Sequence, residues 1–350
     1  QVRAYLRAAG LRPGADAPFP CRSGDPTLIG FVARRLLAAL PLAWGAATLV
    51  FLLVEAAPGE PFDTLREPGV SVATAGRLRE AFGTARPLLP RYLEWLAGLL
   101  RGDFGISWSY RQPAADLIGA AGLNTLALAG PAILLAHGLG LAAGVAAARS
   151  RRHIINRGMP AAAAAFYSVP SYCLALPLVW LLAVRLGWLP ASQMHSTNAA
   201  ALPFLPWLLD TLRHLALPCL ALVVPAAAGI ALYVRDQMRA ALGRGFVSAA
   251  RARGLGSRQA ELRHALRATL LPVAALLGLA IPGFLGGSLT IEVLFAWPGL
   301  GRLAYQAVLA RDLPLILGCT CLSAVLVVTG GLAADLLAAL LDPRAREAQR

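Results

Sequence analysis

The sequence predicts an all-α protein that crosses a membrane several times. Three observations carry that reading: 57% of the 350 residues are hydrophobic, only 14% are charged, and the charges are absent from six long stretches. A soluble domain of this size would need more polar surface than the chain has. A hydrocarbon core about 30 Å thick takes roughly 20 apolar residues of helix. Stretches long enough run over 36–54, 117–148, 158–184, 215–234, 268–291 and 313–334. The first follows a basic lead-in and is expected to be a retained helix, not a cleaved signal. Residues 186–209 are also uncharged, but Pro190, Pro203, Pro206 and the polar run from Ser192 to Asn198 make a poor helix.

Arginine placement orients the spans. Arg34 and Arg35 precede the first, and Arg149, Arg151, Arg152 and Arg157 join the second to the third. Eight arginines against Asp236 and Glu261 join the fourth to the fifth, and Arg344, Arg346 and Arg350 follow the sixth. Six spans put all four basic regions on one side. The loop 55–116, on the other side, has seven arginines but eight acids. The positive-inside rule then places both termini in the cytoplasm. The expected organisation is an extension over 1–30, a first helix over 31–54, and an outer loop over 55–116. A core over 117–346 follows, its last span extending over 313–341, with a basic inner loop over 236–267. Within the outer loop, Tyr92, Trp95, Leu96 and Leu99 recur at helical spacing.

The same features exclude other classes. A net charge of +14 suggests nucleic acid, but the arginines lie between apolar runs and not on one soluble face, so no nucleic-acid partner is expected. Every basic side chain is Arg, and no GxxxxGK[ST] occurs, so these residues hold no phosphate-binding loop for ATP. No GxSxG or HExxH supports a membrane enzyme. Cys21, Cys173, Cys219, Cys319 and Cys321 lack metal-ligand spacing and read as packing residues. An ion-driven carrier is the rival from another class, but it would show more buried ionisable groups. From composition, the inner loop suits either an anionic lipid surface or a protein partner.

At that loop a resemblance enters. FVSAARARGLGSRQAELRHALRATLLP, Phe246 to Pro272, resembles the signature loop of binding-protein-dependent permeases, which reads EAA, three residues, Gly. Ser248, Ala249 and Ala250 stand at that spacing before Gly254, with Ser248 where many members have Glu. APGEP (57–61), RGDFGIS (101–107), GSLTIEVLFAWPGLGRLAYQAVLARDLP (287–314) and LDPRAR (341–346) resemble further elements of the dipeptide/oligopeptide/nickel branch, in order. The resemblance covers residues 31–346 and implies the type I fold of ABC importers. It also implies import by a bacterial inner-membrane complex: a second homologous permease subunit, two ATP-binding cassette subunits and an extracytoplasmic solute-binding protein. ATP and Mg would be used by those ATPase subunits, with no cofactor in this chain. Peptides are the expected cargo, nickel or another solute the alternative.

The resemblance makes Phe246, Ser248, Ala249, Ala250, Arg251, Arg253, Gly254 and Leu255 candidates for contact with an ATPase, Gly254 ending a helix and the arginines pairing with acids. Glu292 is expected at the outer edge of the fifth span, in the solute path or paired with Arg302 or Arg311. Asn124 and His137 in the second span, and His214 starting the fourth, suit hydrogen bonds between helices or contact with solute. Gly278, Gly283, Gly286 and Gly287 suit close helix packing, Pro272 and Pro282 kinks, and Asp335 an arginine partner.

Overall fold

A computed structural model describes residues 28–56, 86–150 and 152–341. Of the extension expected over 1–30, residues 1–27 lie outside the described residues and 28–30 already belong to the first helix. APGEP, residues 342–346 and the side chain of Asp335 also lie outside the described residues. By packing, residues 1–38 form one unit and 39–350 another. Of the first unit, 28–38 are described, as the start of a helix. No strand occurs among the described residues, only an isolated bridge between Ile106 and Pro113.

The helices are α1 (Leu28–Ala56), α2 (Leu88–Leu100), α3 (Ala114–Arg149), α4 (His153–Ser168), α5 (Ser171–Leu178) and α6 (Phe204–Leu242). They continue as α7 (Gly245–Ala252), α8 (Ser257–Ala260), α9 (Leu266–Leu294), α10 (Leu300–Ala310) and α11 (Leu313–Leu341). All six apolar stretches are helical, one of them in two pieces. Helices α3, α6 and α11 through Ala333 are each long and apolar enough to cross a membrane. The third expected span is a correction: α4, and α5 with its π-helical continuation Val179–Arg185, meet at a bend of 99°. Pro170 explains it, because a proline removes an N–H and forces the preceding Val169 into extended backbone, ψ 122°.

The expected amphipathic helix of the outer loop is α2, which packs on α1 by its aromatic face. Phe51 stacks on Trp95 at 5.5 Å and meets Tyr92 edge-on. The Tyr92 hydroxyl accepts from the Trp44 indole at 2.9 Å, and Arg91 reaches Glu55 at 2.6 Å. Of 186–209, expected to be a poor helix, 186–203 is mostly irregular, with one 3-10 turn over Ala199–Ala201. Residues 204–209 instead form the start of α6, where Pro206 sits in the first turn and its missing N–H costs no intrahelical bond.

Helix α3 reverses the pattern of a soluble helix. Apart from Ile118 and Leu128, its buried residues are Ala, Gly and Thr, while Leu123, Leu134 and Leu139 point out, Leu134 at 71% exposure. Large apolar residues outside and small ones inside suit a protein solvated by lipid, where close backbone approach replaces the hydrophobic drive between helices. The approach is tightest against α6. A Cβ on Gly140 would lie 2.9 Å from the carbonyl oxygen of Ala227, and one on Gly144 would lie 2.7 Å from that of Ala231. Gly283 departs from the expectation of close packing: its Cβ would meet nothing within 4 Å.

Gly144→Val should therefore force α3 from α6, because backbone atoms cannot yield. A loss of about 1–3 kcal/mol or more is expected, read as a lower unfolding midpoint in detergent. An unchanged midpoint contradicts the packing.

Candidate functional site

Three places gather the sequence-predicted residues: the loop at the arginine-rich end of α3 and α6, a buried polar knot near the opposite end, and a cavity between them.

At the loop, α6 turns through Gly243 and Arg244 into α7. Val247 and Ala250, three residues apart and so on one helical face, are buried against Met238 and Ala241 of α6 and against Ala260 and Ala265. Phe246, Ser248, Ala249, Arg251 and Ala252 are exposed. The helix stops through hydrogen bonds that only a left-handed residue permits. Gly254 has φ +88°, its N–H donates to Arg251 O at 2.9 Å, and the Leu255 N–H donates to Ala250 O at 3.3 Å. Leu255 and Ala250 share the small core beneath, completing the motif. No atom lies within 4 Å of a Cβ built on Gly254, so the backbone conformation and not space requires glycine.

Below α7, Glu261 opens the π-helical turn Glu261–Ala265 that leads into α9. Its carboxylate accepts from Arg149 Nε at 2.9 Å, Ser257 Oγ at 3.0 Å and Arg251 at 3.3 Å. Arg251, expected to reach a partner, is thus engaged within the chain. Arg253, with Arg244, Arg258 and Arg263, is exposed. Burial opposes ionisation of Glu261, but the hydrogen bonds from Arg149 and Ser257 and the charges of Arg149 and Arg251 prevail and hold its carboxyl below the ordinary 4.5.

At the opposite end of α3, Glu292 is fully buried. One carboxylate oxygen accepts from Thr125 Oγ1 at 2.8 Å, the other from the Arg302 backbone N–H at 3.0 Å. Thr125 Oγ1 also accepts from the Leu300 N–H at 2.7 Å. The charge therefore sits at the N-terminus of α10, where free N–H groups and the helix dipole favour an anion. The ion pair expected with Arg302 is corrected here: the group of that residue that meets Glu292 is the backbone N–H, while the guanidinium donates to Ala296 O at 2.5 Å. The Asn124 side-chain amide donates to Pro298 O at 2.9 Å while its backbone carbonyl accepts from the Trp297 indole at 2.8 Å, so it clamps the α9–α10 turn.

Asp312, which sequence reasoning missed, caps α11 and is fully buried. It accepts from Ser107 Oγ at 2.6 Å and the Ser109 N–H at 2.9 Å, tying two motifs 205 residues apart. Both residues stood in quoted motifs, but nothing in one sequence pairs them.

His137 lies elsewhere. It lines a cavity of about 790 Å³ with residues of α4, α5, α6 and α9. Its Nδ1 pairs with Ile133 O of its own helix at 2.8 Å, not across helices as expected. His214 likewise pairs with Asp210 O of α6 at 2.8 Å.

The comparisons with known proteins bear on this arrangement. Residues 140–347, which include the loop, the α9–α10 turn and the cavity lining other than His137, match the model of the binding-protein-dependent transport system inner membrane component family. The chain belongs to that family. The permease is similar to the oligopeptide transport system permease protein AppB of Bacillus subtilis (strain 168), at 35% identity over 91% of this chain and 99% of the relative. It is also similar to the glutathione transport system permease protein GsiC of Escherichia coli (strain K12), at 32% identity over 91% and 99%. It is a multi-pass membrane subunit of an ABC importer, a kind of subunit that is not itself an enzyme.

Two outcomes test the geometry. Thr125→Val leaves the Leu300 N–H and one Glu292 oxygen unpartnered, so the unfolding midpoint of the permease should fall, by about 1–3 kcal/mol per orphaned group. Thr125→Ser should keep most of it, and equal loss in both variants contradicts the hydroxyl's role. At the loop, a lowered carboxyl pKa means that the Glu261 contribution is present above pH 4.5 and lost as pH falls through the lowered value. Glu261→Gln should remove it at neutral pH, raising amide exchange over 245–260 by roughly two- to fivefold, as expected for a partly exposed ion pair. Unchanged exchange contradicts the anchor.

Proposed function

We propose that this permease forms half of the pathway of a peptide importer in a bacterial cytoplasmic membrane, driven through α7 by a separate ATPase. A second, homologous permease subunit completes the pathway. Two ATP-binding cassette subunits bind ATP and Mg at the arginine-rich end, and a solute-binding protein delivers cargo at the other.

The observation that carries the proposal is the build of the loop. A helix of eight residues is fixed from below by Val247 and Ala250 and offers Phe246, Ser248 and Ala249 outward. Phe246 is an apolar anchor for a pocket, the small residues beside it let a partner surface approach, and exposed Arg253 can pair with acids there. A recess of about 490 Å³ beside it is lined by Leu255, Arg258, Gln259, Leu262 and Arg263. The absence of GxxxxGK[ST] from these 350 residues supports an energy source in another chain. The relatives named for oligopeptide and glutathione transport support peptides over nickel. An ion-driven carrier, the rival weighed from the sequence, does not fit a chain of this family.

Because the loop is fixed to α3, α6 and α9 together, a push on α7 moves three helices. Gly254→Val tests this coupling. A β-branched residue at φ +88° costs about 1–2 kcal/mol or more and should unwind the end of α7. In vesicles containing the full complex, peptide uptake per ATP hydrolysed should fall severalfold or more. Uptake per ATP equal to wild type would refute the role of α7.

A further inference from the structure

Helix α2 carries an apolar stripe that the described residues leave largely uncovered. Leu89, Leu93, Leu96 and Leu100 fall four, three and four residues apart, which keeps them on one face of the helix. Leu89, Leu93 and Leu100 are each more than half exposed, Leu100 at 83%. The helix cannot turn to hide them, because its other faces are engaged. Tyr92 and Trp95 pack on Phe51, and Arg91 reaches Glu55 at 2.6 Å. At its C-terminal end the Asp103 N–H donates to Gly98 O at 2.9 Å, and a Cβ on Gly98 would lie 2.8 Å from Asp103 O. That tight turn leads on to Ser107, which Asp312 holds.

The level at which α2 sits says what meets the stripe. Its anchors on α1, Trp44, Thr48 and Phe51, belong to the apolar stretch 36–54. The Tyr92 hydroxyl accepts from the Trp44 indole at 2.9 Å and donates to Thr48 Oγ1 at 2.8 Å, the Thr48 hydrogen going to Trp44 O. The seat of α2 is therefore within that stretch and not beyond its end. At the same level α1 turns Leu49, Leu52 and Leu53 outward. Val50 and Val54 pack with Ile118 and Leu300, which puts this part of α1 at the end of the molecule away from α7. Trp and Tyr rings with a polar tip collect where hydrocarbon gives way to headgroups. The charges of α2 lie off the stripe: exposed Glu94 is about 100° round the helix from Leu93 and pairs with Arg86 at 2.9 Å. A helix with leucines on one side and charges on another lies flat at a membrane surface, its apolar side in the acyl boundary. We propose that α2 lies in the interface of the lipid leaflet away from α7, its leucine stripe against acyl chains and Glu94 among headgroups. The partner that covers the stripe is phospholipid, not another subunit.

The test places a photoreactive side chain on the stripe and, separately, off it, in the full complex held in nanodiscs of phosphatidylethanolamine and phosphatidylglycerol. On irradiation, Leu93→p-benzoylphenylalanine should attach phospholipid to the permease, read as added mass. The yield should exceed that of Glu94→p-benzoylphenylalanine severalfold. A crosslink from position 93 to another subunit in place of the lipid adduct makes the stripe a protein interface and overturns the proposal. No adduct at position 93, or equal lipid adducts at both positions, overturns it as well. Should the Leu93 variant fail to assemble, Leu100→p-benzoylphenylalanine, on the same stripe and more exposed, is compared with the Glu94 variant, and the same outcomes decide.

Discussion

The close approach of α3 to α6 is the constraint on which the rest of this permease depends. Gly140 and Gly144 let the two backbones meet at distances that no side chain permits. Those two helices then carry the parts of all three functional regions. α3 bears Asn124 and Thr125 near one end, His137 midway, and Arg149 at the other. α6 bears Gly229 beside the cavity and Met238 and Ala241 beneath α7. From Thr125 to Arg149 the helix rises about 36 Å at 1.5 Å per residue. Events at the loop and at the knot are therefore two ends of one rigid pair.

The polar groups follow from the same low-dielectric setting. A carboxylate taken out of water must meet donors or go uncharged. Glu292 and Asp312 meet them at helix N-termini, α10 and α11, supplemented by hydroxyls of Thr125 and Ser107. Neither depends on an arginine side chain in those contacts. This fixes the α9–α10–α11 corner without flexible ion pairs, and leaves Arg302 to bind Ala296 O. Glu261, at the wetter end, is held instead by Arg149 and Arg251.

Much of the fold was legible in the sequence because lipid imposes a simple rule: long uncharged stretches without clustered prolines and polar residues become helices. All six did, and the Tyr92/Trp95 periodicity marked α2. The break at Pro170 was missed because composition over 158–184 stays apolar throughout, and proline within α3 or α6 makes no such bend. At the loop, the resemblance of residues 246–255 to a known signature marked Gly254 as the end of a helix, and its backbone has φ +88°. The roles of Glu292 and Arg251 were not legible. A lone carboxylate and a loop arginine invite ion-pair readings, whereas their partners, a backbone N–H across a turn and a glutamate ten residues on, are set by tertiary packing. Gly283 misled for a related reason. Glycine permits close packing and open space equally, and the neighbours decide which.

The central claim is that the surface of α7 faces the compartment where ATP is hydrolysed and lies against the ATPase. Its most direct test is the reactivity of Ser248→Cys toward a membrane-impermeant maleimide, measured above the background of the native cysteines, of which Cys173 is exposed. The account predicts labelling in inverted vesicles, protection when the ATPase subunits are bound, and none in intact spheroplasts. Labelling from outside intact spheroplasts would contradict it.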